Sequence, residues 1–198
     1  MLLKPPQRGR METNMIFLAI VGIVILLLAV WLISSYNGFI RLRNKSEEAF
    51  SAMDVSLKKR YDLIPNFVET VKGYAKHESQ TLEAVIKARN QAVSSTTPEQ
   101  KIANDNALSG TLKSLFALAE GYPDLKANQN FLSLQNQLSR VEEEIAGARR
   151  YYNGVVNKYN TKTEMFPGNL VANLFGFQRK PLYEVNSDAE RENVKVSF

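Results

Sequence analysis

His77 is the only histidine in the chain, and there is no cysteine. A transition-metal site would need carboxylates from elsewhere to complete it around His77. Glu78 adjoins it, but adjacent positions on a helix do not face each other, so His77 reads as a surface histidine. Glu142, Glu143 and Glu144 are the densest carboxylate run. On a helix each step turns by about 100°, so the three fan apart, and Arg140, Arg149 and Arg150 follow them round the same surface. That pattern describes a solvated, charge-laced face more readily than a paired acid and base. Gly9, Gly73 and Gly110 stand in no phosphate-cradling motif, and no serine sits in a Gly-x-Ser-x-Gly turn. With a single histidine, little is left to activate a nucleophile. The expectation is a protein that is not an enzyme and holds no cofactor or metal.

Composition narrows the partners. The lack of cysteine excludes disulfides and thiol chemistry and leaves the redox compartment open. The net charge of the 198 residues is +5, of which Lys4, Arg8 and Arg10 less Glu12 supply +2. The remaining excess is too small for the basic stripe of a duplex-binding domain, and no nucleic acid is expected as partner.

Residues Met15 to Ile33 form an uncharged run of 19 residues, MIFLAIVGIVILLLAVWLI. At about 1.5 Å per residue this length matches the hydrocarbon core of a bilayer. Trp31 and Tyr36 fall near its end, where amphipathic rings favour the interface. A buried core helix and a cleaved signal peptide are the alternatives. The first would need a large protein around it, and Ser34-Ser35-Tyr36 makes a poor cleavage site. The run therefore reads as a single-pass anchor over residues 15–35, marked by Met15, Trp31, Ile33 and Tyr36, behind a basic segment 1–14. Basic residues flank both ends, so charge does not orient it.

The rest of the chain carries helical periods. Phe131, Leu134, Leu138, Val141, Ile145, Ala148, Tyr152, Val155 and Tyr159 alternate spacings of three and four, a seam that predicts a long helix from about 125 to 163. Phe166-Pro167-Gly168 is its stop. Phe50, Leu57, Ile64 and Val71, with Tyr61, Val68 and Ala75 beside them, make a second stripe that can continue from the anchor. Pro65 within it removes a backbone donor and predicts a kink or a division. A helix over 79–93 and another ending near Glu120 fill the middle, the latter capped by Thr97 with Pro98 at its first position. Strand-like alternation is confined to Val194, Val196 and Phe198. The fold class is all-α: a transmembrane helix, then an antiparallel, four-helix-bundle-like domain over 36–165 with heptad seams. A short apolar helix or lid follows over 166–182, then a loose tail over 183–198.

The ordered strings Tyr36-Asn37, Lys59-Arg60-Tyr61-Asp62-Leu63-Ile64-Pro65-Asn66-Phe67-Val68, Thr70-Val71-Lys72-Gly73-Tyr74-Ala75 and His77-Glu78 begin a recognisable pattern. It runs on through Ala88-Arg89, Tyr122-Pro123-Asp124-Leu125-Lys126-Ala127, Asn130-Phe131, Glu143-x-Ile145-Ala146-x-Ala148-Arg149-x-Tyr151-Tyr152-Asn153, Tyr159-Asn160 and Phe166-Pro167. Over residues 36–198 the chain resembles the LemA family of bacterial membrane proteins. That resemblance implies a helical bundle in the bacterial cytoplasmic membrane, no established enzyme activity, and links to membrane organisation or to membrane proteases and envelope-stress proteins. Some relatives carry a lipid-attachment cysteine where this chain has Ser34-Ser35, which favours a bundle outside the cytoplasm.

Two features are candidates for self-association. Tyr152 and Tyr159 lie on the seam and either pack at the bundle edge or touch another protomer. Phe166, Leu170, Leu174 and Phe177 form an uncharged stripe that closes the bundle end, meets a neighbouring copy, or meets the bilayer. The expected function is a homo-oligomeric membrane scaffold, with an adaptor for a membrane protease or envelope-stress system as the alternative.

Overall fold

The computed structural model describes the backbone of residues 7–184 and the side chains of residues 12–184. Its elements are six helices, and no strand occurs among the described residues: α1 (Gln7–Tyr74), α2 (Ser79–Val93), α3 (Pro98–Glu120), α4 (Pro123–Lys126), α5 (Gln129–Glu164) and α6 (Gly168–Phe175). The anchor is part of α1, which begins ahead of it at Gln7 and runs on without a break to Tyr74. Residues 185–198, most of the expected tail, lie outside the described residues.

Contacts divide the described chain into two units. An anchor unit holds α1 up to Asn44 together with Tyr159–Arg179; a bundle unit holds Lys45–Lys158 and the segment from Lys180. The helical domain expected over 36–165 is thus shared between them.

The bundle unit is an up-down-up-down arrangement of α1, α2, α3 and α5. Antiparallel pairing of α1 with α5 follows from Phe50 meeting Tyr152, Lys59 meeting Glu144, and Phe67 meeting Phe131. α3 runs parallel to α1, since Asp54 pairs with Lys101 and Phe67 with Phe116. All the seam residues expected on α5 are buried or half-buried, as are the six stripe residues on α1 and Ala75 just beyond its end. Apart from Tyr159, which packs in the anchor unit, they join Leu82, Val85 and Ala92 of α2 and Leu108, Leu112 and Leu115 of α3 in one core. The middle helices begin and end where their sequence signals stand. Thr97 accepts the Gln100 N–H at 3.2 Å with Pro98 following it, which satisfies one of the orphan donors at the helix start. The long C-terminal helix starts later than expected, because Pro123–Lys126 forms a separate turn. Asn128 then caps α5, accepting from the N–H groups of Asn130 and Phe131.

Pro65 does not divide α1. Proline leaves the carbonyl four residues earlier without its helical donor, and that carbonyl belongs to Tyr61. Arg89 of α2 fills the vacancy: its Nε donates to the Tyr61 oxygen at 3.1 Å. Arg89→Leu is therefore expected to cost about 1–3 kcal/mol by orphaning a carbonyl. In a Pro65→Ala background, where an N–H is restored at position 65, the same change is expected to cost markedly less. A double-mutant cycle by urea denaturation measures that coupling.

Candidate functional site

Apolar spacing on the bundle helices is broken twice by charge. Along α1, Arg60 falls on the row of Leu57 and Ile64; along α3, Asp105 falls on the row of Ile102 and Leu108. Both charged side chains are fully buried. A carboxylate or guanidinium in such a place costs several kcal/mol unless it is paired and hydrogen-bonded, and here the partners arrive from every helix around it.

The Asp105 carboxylate pairs with Arg60 through one oxygen and with Arg149 of α5 through the other, the latter at 3.0 Å. Two phenols also donate to it, Tyr61 at 3.2 Å and Tyr183 in a close contact. Arg60 in turn meets Glu142 at 2.7 Å and Ser109 at 3.1 Å. The Arg149 guanidinium lies over the Tyr183 ring at 4.3 Å, a cation–π contact strengthened by desolvation. Two arginines therefore face two carboxylates, and the charges balance. Asp105 is enclosed and its acceptor sites are taken, so the arrangement clasps α1, α3, α5 and the segment after α6 together and offers no free base to a substrate.

Tyr183 corrects the expectation that the chain loosens from residue 183. It is buried, and Asn153 binds its backbone from both sides, donating to its carbonyl at 2.9 Å and accepting from its N–H at 2.8 Å. Tyr152 donates to the Pro181 carbonyl at 2.8 Å, and Asn106 to the Glu184 carbonyl at 2.8 Å. A polar sequence is held here because side-chain amides and a phenol replace the backbone partners that a helix would supply. Between α3 and α5 lies a groove of about 760 Å³ whose wall includes Asn106, Leu112, Phe116, Leu138 and Glu142.

The anchor unit is built on aromatic contacts. Apart from half-buried Leu32, the large side chains of the apolar run are exposed, from Met15 at 63% to Ile33 at 62%, with Trp31 lower at 37%. This excludes the core-helix alternative. Just beyond the run, Phe39 is fully buried. Phe177 stacks on it at 4.7 Å, Tyr159 meets it edge-on at 6.1 Å, and Lys162 Nζ lies 4.5 Å above its ring. Tyr36 contacts Phe175 and Phe177, and Val171 and Ala172 of α6 complete the cluster. Lys162 donates to the Ser35 carbonyl at 3.0 Å. Burial, and then the charge of Arg41, lower its pKa. Gly176 ends α6 in the left-handed region, at φ 71°, which lets the Phe177 N–H bond the Ala172 carbonyl at 2.9 Å.

The residues expected to mediate self-association thus separate. Tyr152 and Tyr159 are 3% and 2% exposed and pack inside the chain, so they are not offered to another protomer. Phe177 is half-buried on Phe39, whereas Phe166, Leu170 and Leu174 are 77%, 55% and 68% exposed. His77 is exposed in the turn between α1 and α2, and among the described residues no group of three or more His, Cys, Asp or Glu is placed to hold a metal. Of the glutamate run, Glu143 is exposed and Glu144 pairs with Lys59, while Glu142 is drawn inward by Arg60. Sequence reasoning missed the Asp105 clasp. The available signal was a charged residue on an apolar row, seen at both Arg60 and Asp105.

Two outcomes follow. Asp105→Asn removes the carboxylate that the buried Arg60 and half-buried Arg149 guanidiniums share, leaving Arg60 with Glu142 alone, and is expected to cost about 3–5 kcal/mol in urea denaturation. Replacing Arg60, Asp105 and Arg149 together by apolar residues of similar volume is expected to cost much less. Burial, the largest cause in each case, pushes the Tyr61 and Tyr152 hydroxyls up to about 12 from the usual 10.0. Between those values the native chain holds protons that the unfolded chain has lost, so stability is expected to fall as pH rises through that window. Phenolate absorbance should show these tyrosines ionising last, together with unfolding.

The comparisons with known proteins agree with this architecture. The chain is 27% identical over 165 residues to protein LemA of Metamycoplasma hominis, covering 81% of this chain and 74% of that protein. It is 21% identical to magnetosome protein MamQ 2 of Paramagnetospirillum magneticum, over 91% of this chain and 75% of the relative. Magnetosome protein MamQ of Magnetospirillum gryphiswaldense matches at 21% over 88% and 74%. Among the described residues one helix, α1, is long and apolar enough to cross a bilayer and is unburied along its apolar run, and the chain is a membrane protein with this span as its anchor. The family model matches residues 49–198, three quarters of the sequence and the whole of the bundle's helical core beyond Ala49: the chain belongs to the LemA family.

Proposed function

We propose that this protein is a non-enzymatic membrane scaffold of the bacterial envelope, anchored in the cytoplasmic membrane with its bundle outside the cytoplasm, that works as an assembly of many copies. One observation carries the reading. The exposed apolar surface is gathered in the anchor unit, along residues 15–33 and across Met165–Phe175, whereas in the bundle unit exposed apolar side chains such as Val55, Val93 and Leu132 are scattered singly. Scattered exposed apolar residues are ordinary, but contiguous ones mark surfaces that work against a partner or a membrane. The bundle meanwhile spends its buried polar groups on its own clasp. Two relatives named as magnetosome proteins support a role at a membrane.

A second reading, an adaptor that presents the bundle to a membrane protease or an envelope-stress protein, rests on the α3–α5 groove, which is concave and partly apolar. Native mass separates the two. Light scattering coupled to size exclusion of the full chain in mild detergent is expected to give a homogeneous particle of many copies. A monomer or dimer would remove the scaffold and favour the adaptor, and crosslinking in the membrane should then recover a defined foreign protein.

A further inference from the structure

Part of the apolar surface of α6 has no cover among the described residues. Val171 and Ala172 pack in the aromatic cluster on α1, whereas Leu170 and Leu174, one turn apart on α6, and Phe166 in the turn before the helix are exposed. No charged residue occurs from Phe166 to Phe177; Glu164 and Arg179 flank the stretch and pair with each other at 2.5 Å. A soluble surface would be expected to break such a patch with charge.

Where α6 sits on α1 identifies what covers it. Its cluster takes in Leu32, inside the apolar run, and then Tyr36 and Phe39. At about 1.5 Å per residue, Tyr36 and Phe39 stand roughly 5 Å and 9 Å beyond Ile33 along the helix. The polar margin of a bilayer is about 5–8 Å deep on each side of the hydrocarbon. Helix α6 is therefore held at the depth of the headgroups and upper acyl chains, against the last turn of the anchor. Lys162 stretches over Phe39 to reach the Ser35 carbonyl, the posture of a lysine whose stem lies along apolar surface while its charge finds a polar partner.

We propose that α6 is an interfacial helix: Phe166, Leu170 and Leu174 insert among the acyl chains of the leaflet from which the anchor emerges, so that each copy occupies that leaflet with a shallow wedge as well as with its span. The inference uses the membrane attachment in the reading above and is independent of self-assembly. It gives the scaffold a means of acting on lipid, because material inserted in one leaflet alone favours curvature.

The lack of cysteine makes the test direct. Full-length Phe166→Cys, Leu170→Cys and Leu174→Cys variants, each labelled with nitrobenzoxadiazole, are reconstituted into vesicles of phosphatidylethanolamine and phosphatidylglycerol. Ile25→Cys in the anchor and Val55→Cys on the bundle serve as references, and far-UV circular dichroism checks that helix content is unchanged. The α6 labels are expected to emit at shorter wavelength than the Val55→Cys label and to lose intensity to lipids with a nitroxide near the headgroup. They should lose less to a nitroxide at the chain terminus, the reverse of the Ile25→Cys label. A blue shift without lipid quenching would assign the face to a second copy and overturn the proposal. Emission matching the Val55→Cys label would place α6 in water and overturn it as well. Loss of quenching at Ile25→Cys would remove the anchor itself, and the placement of α6 with it, whatever the native mass.

Discussion

The bundle is organised around a single buried carboxylate. Asp105 has no access to solvent and is tolerable only when Arg60, Arg149, Tyr61 and Tyr183 are all in place. Apolar seams fix which faces of α1, α3 and α5 turn inward, but such seams slide at modest cost when one side chain replaces another of similar volume. A charge network does not slide, since a helix displaced by one turn would leave a guanidinium or a carboxylate bare. The hydrophobic core thus supplies most of the driving force, while the clasp specifies the register and brings the segment after α6 back onto the bundle.

The same logic of compensation operates at Pro65. A proline inside a long helix ordinarily marks a break, yet α1 passes through it because a neighbouring helix lends a donor to the carbonyl that lost one. Tyr61 takes part in both arrangements, with its carbonyl held by Arg89 and its hydroxyl on Asp105. One residue of α1 therefore links the packing of α2 to that of α3, which explains why the two polar arrangements stand beside each other in the middle of the bundle.

Local signals carried much of this fold in the sequence. The cap at Thr97, the limits of α2 and α3 and the alternating seam of α5 all rest on spacings within a few residues, and they were legible. What was not legible depends on distant partners. Arg149 looks like any surface arginine, and the apolar rows that carry Arg60 and Asp105 do not say that the two meet; Asp105 itself stands between two asparagines in a polar stretch. Pro65 predicts a kink or a division because its substitute donor lies 24 positions away at Arg89. Tyr183 reads as the start of a tail because the sequence after it is polar, whereas Asn153, Asp105 and Arg149, all distant in sequence, hold it in order. For the apolar stripe from Phe166 to Phe177, composition left the face open: Phe177 belongs inside, with Phe39, and Phe166, Leu170 and Leu174 look outward.

The order of the clasp along the chain bears on how the protein is made. The anchor is synthesised first, and Arg60 follows it well before Asp105, with Arg149 and Tyr183 later still. At translation rates of about 5–20 residues per second, the buried arginine waits on the order of seconds for its carboxylate and longer for the last phenol. During that interval the nascent bundle can form helices but cannot close over its charges, because a half-built cluster is more costly buried than hydrated. Closure of the core over its charges is thereby deferred until Arg149 and Tyr183 have been made, and a chain already tethered to the membrane through residues 15–33 stays open until they arrive.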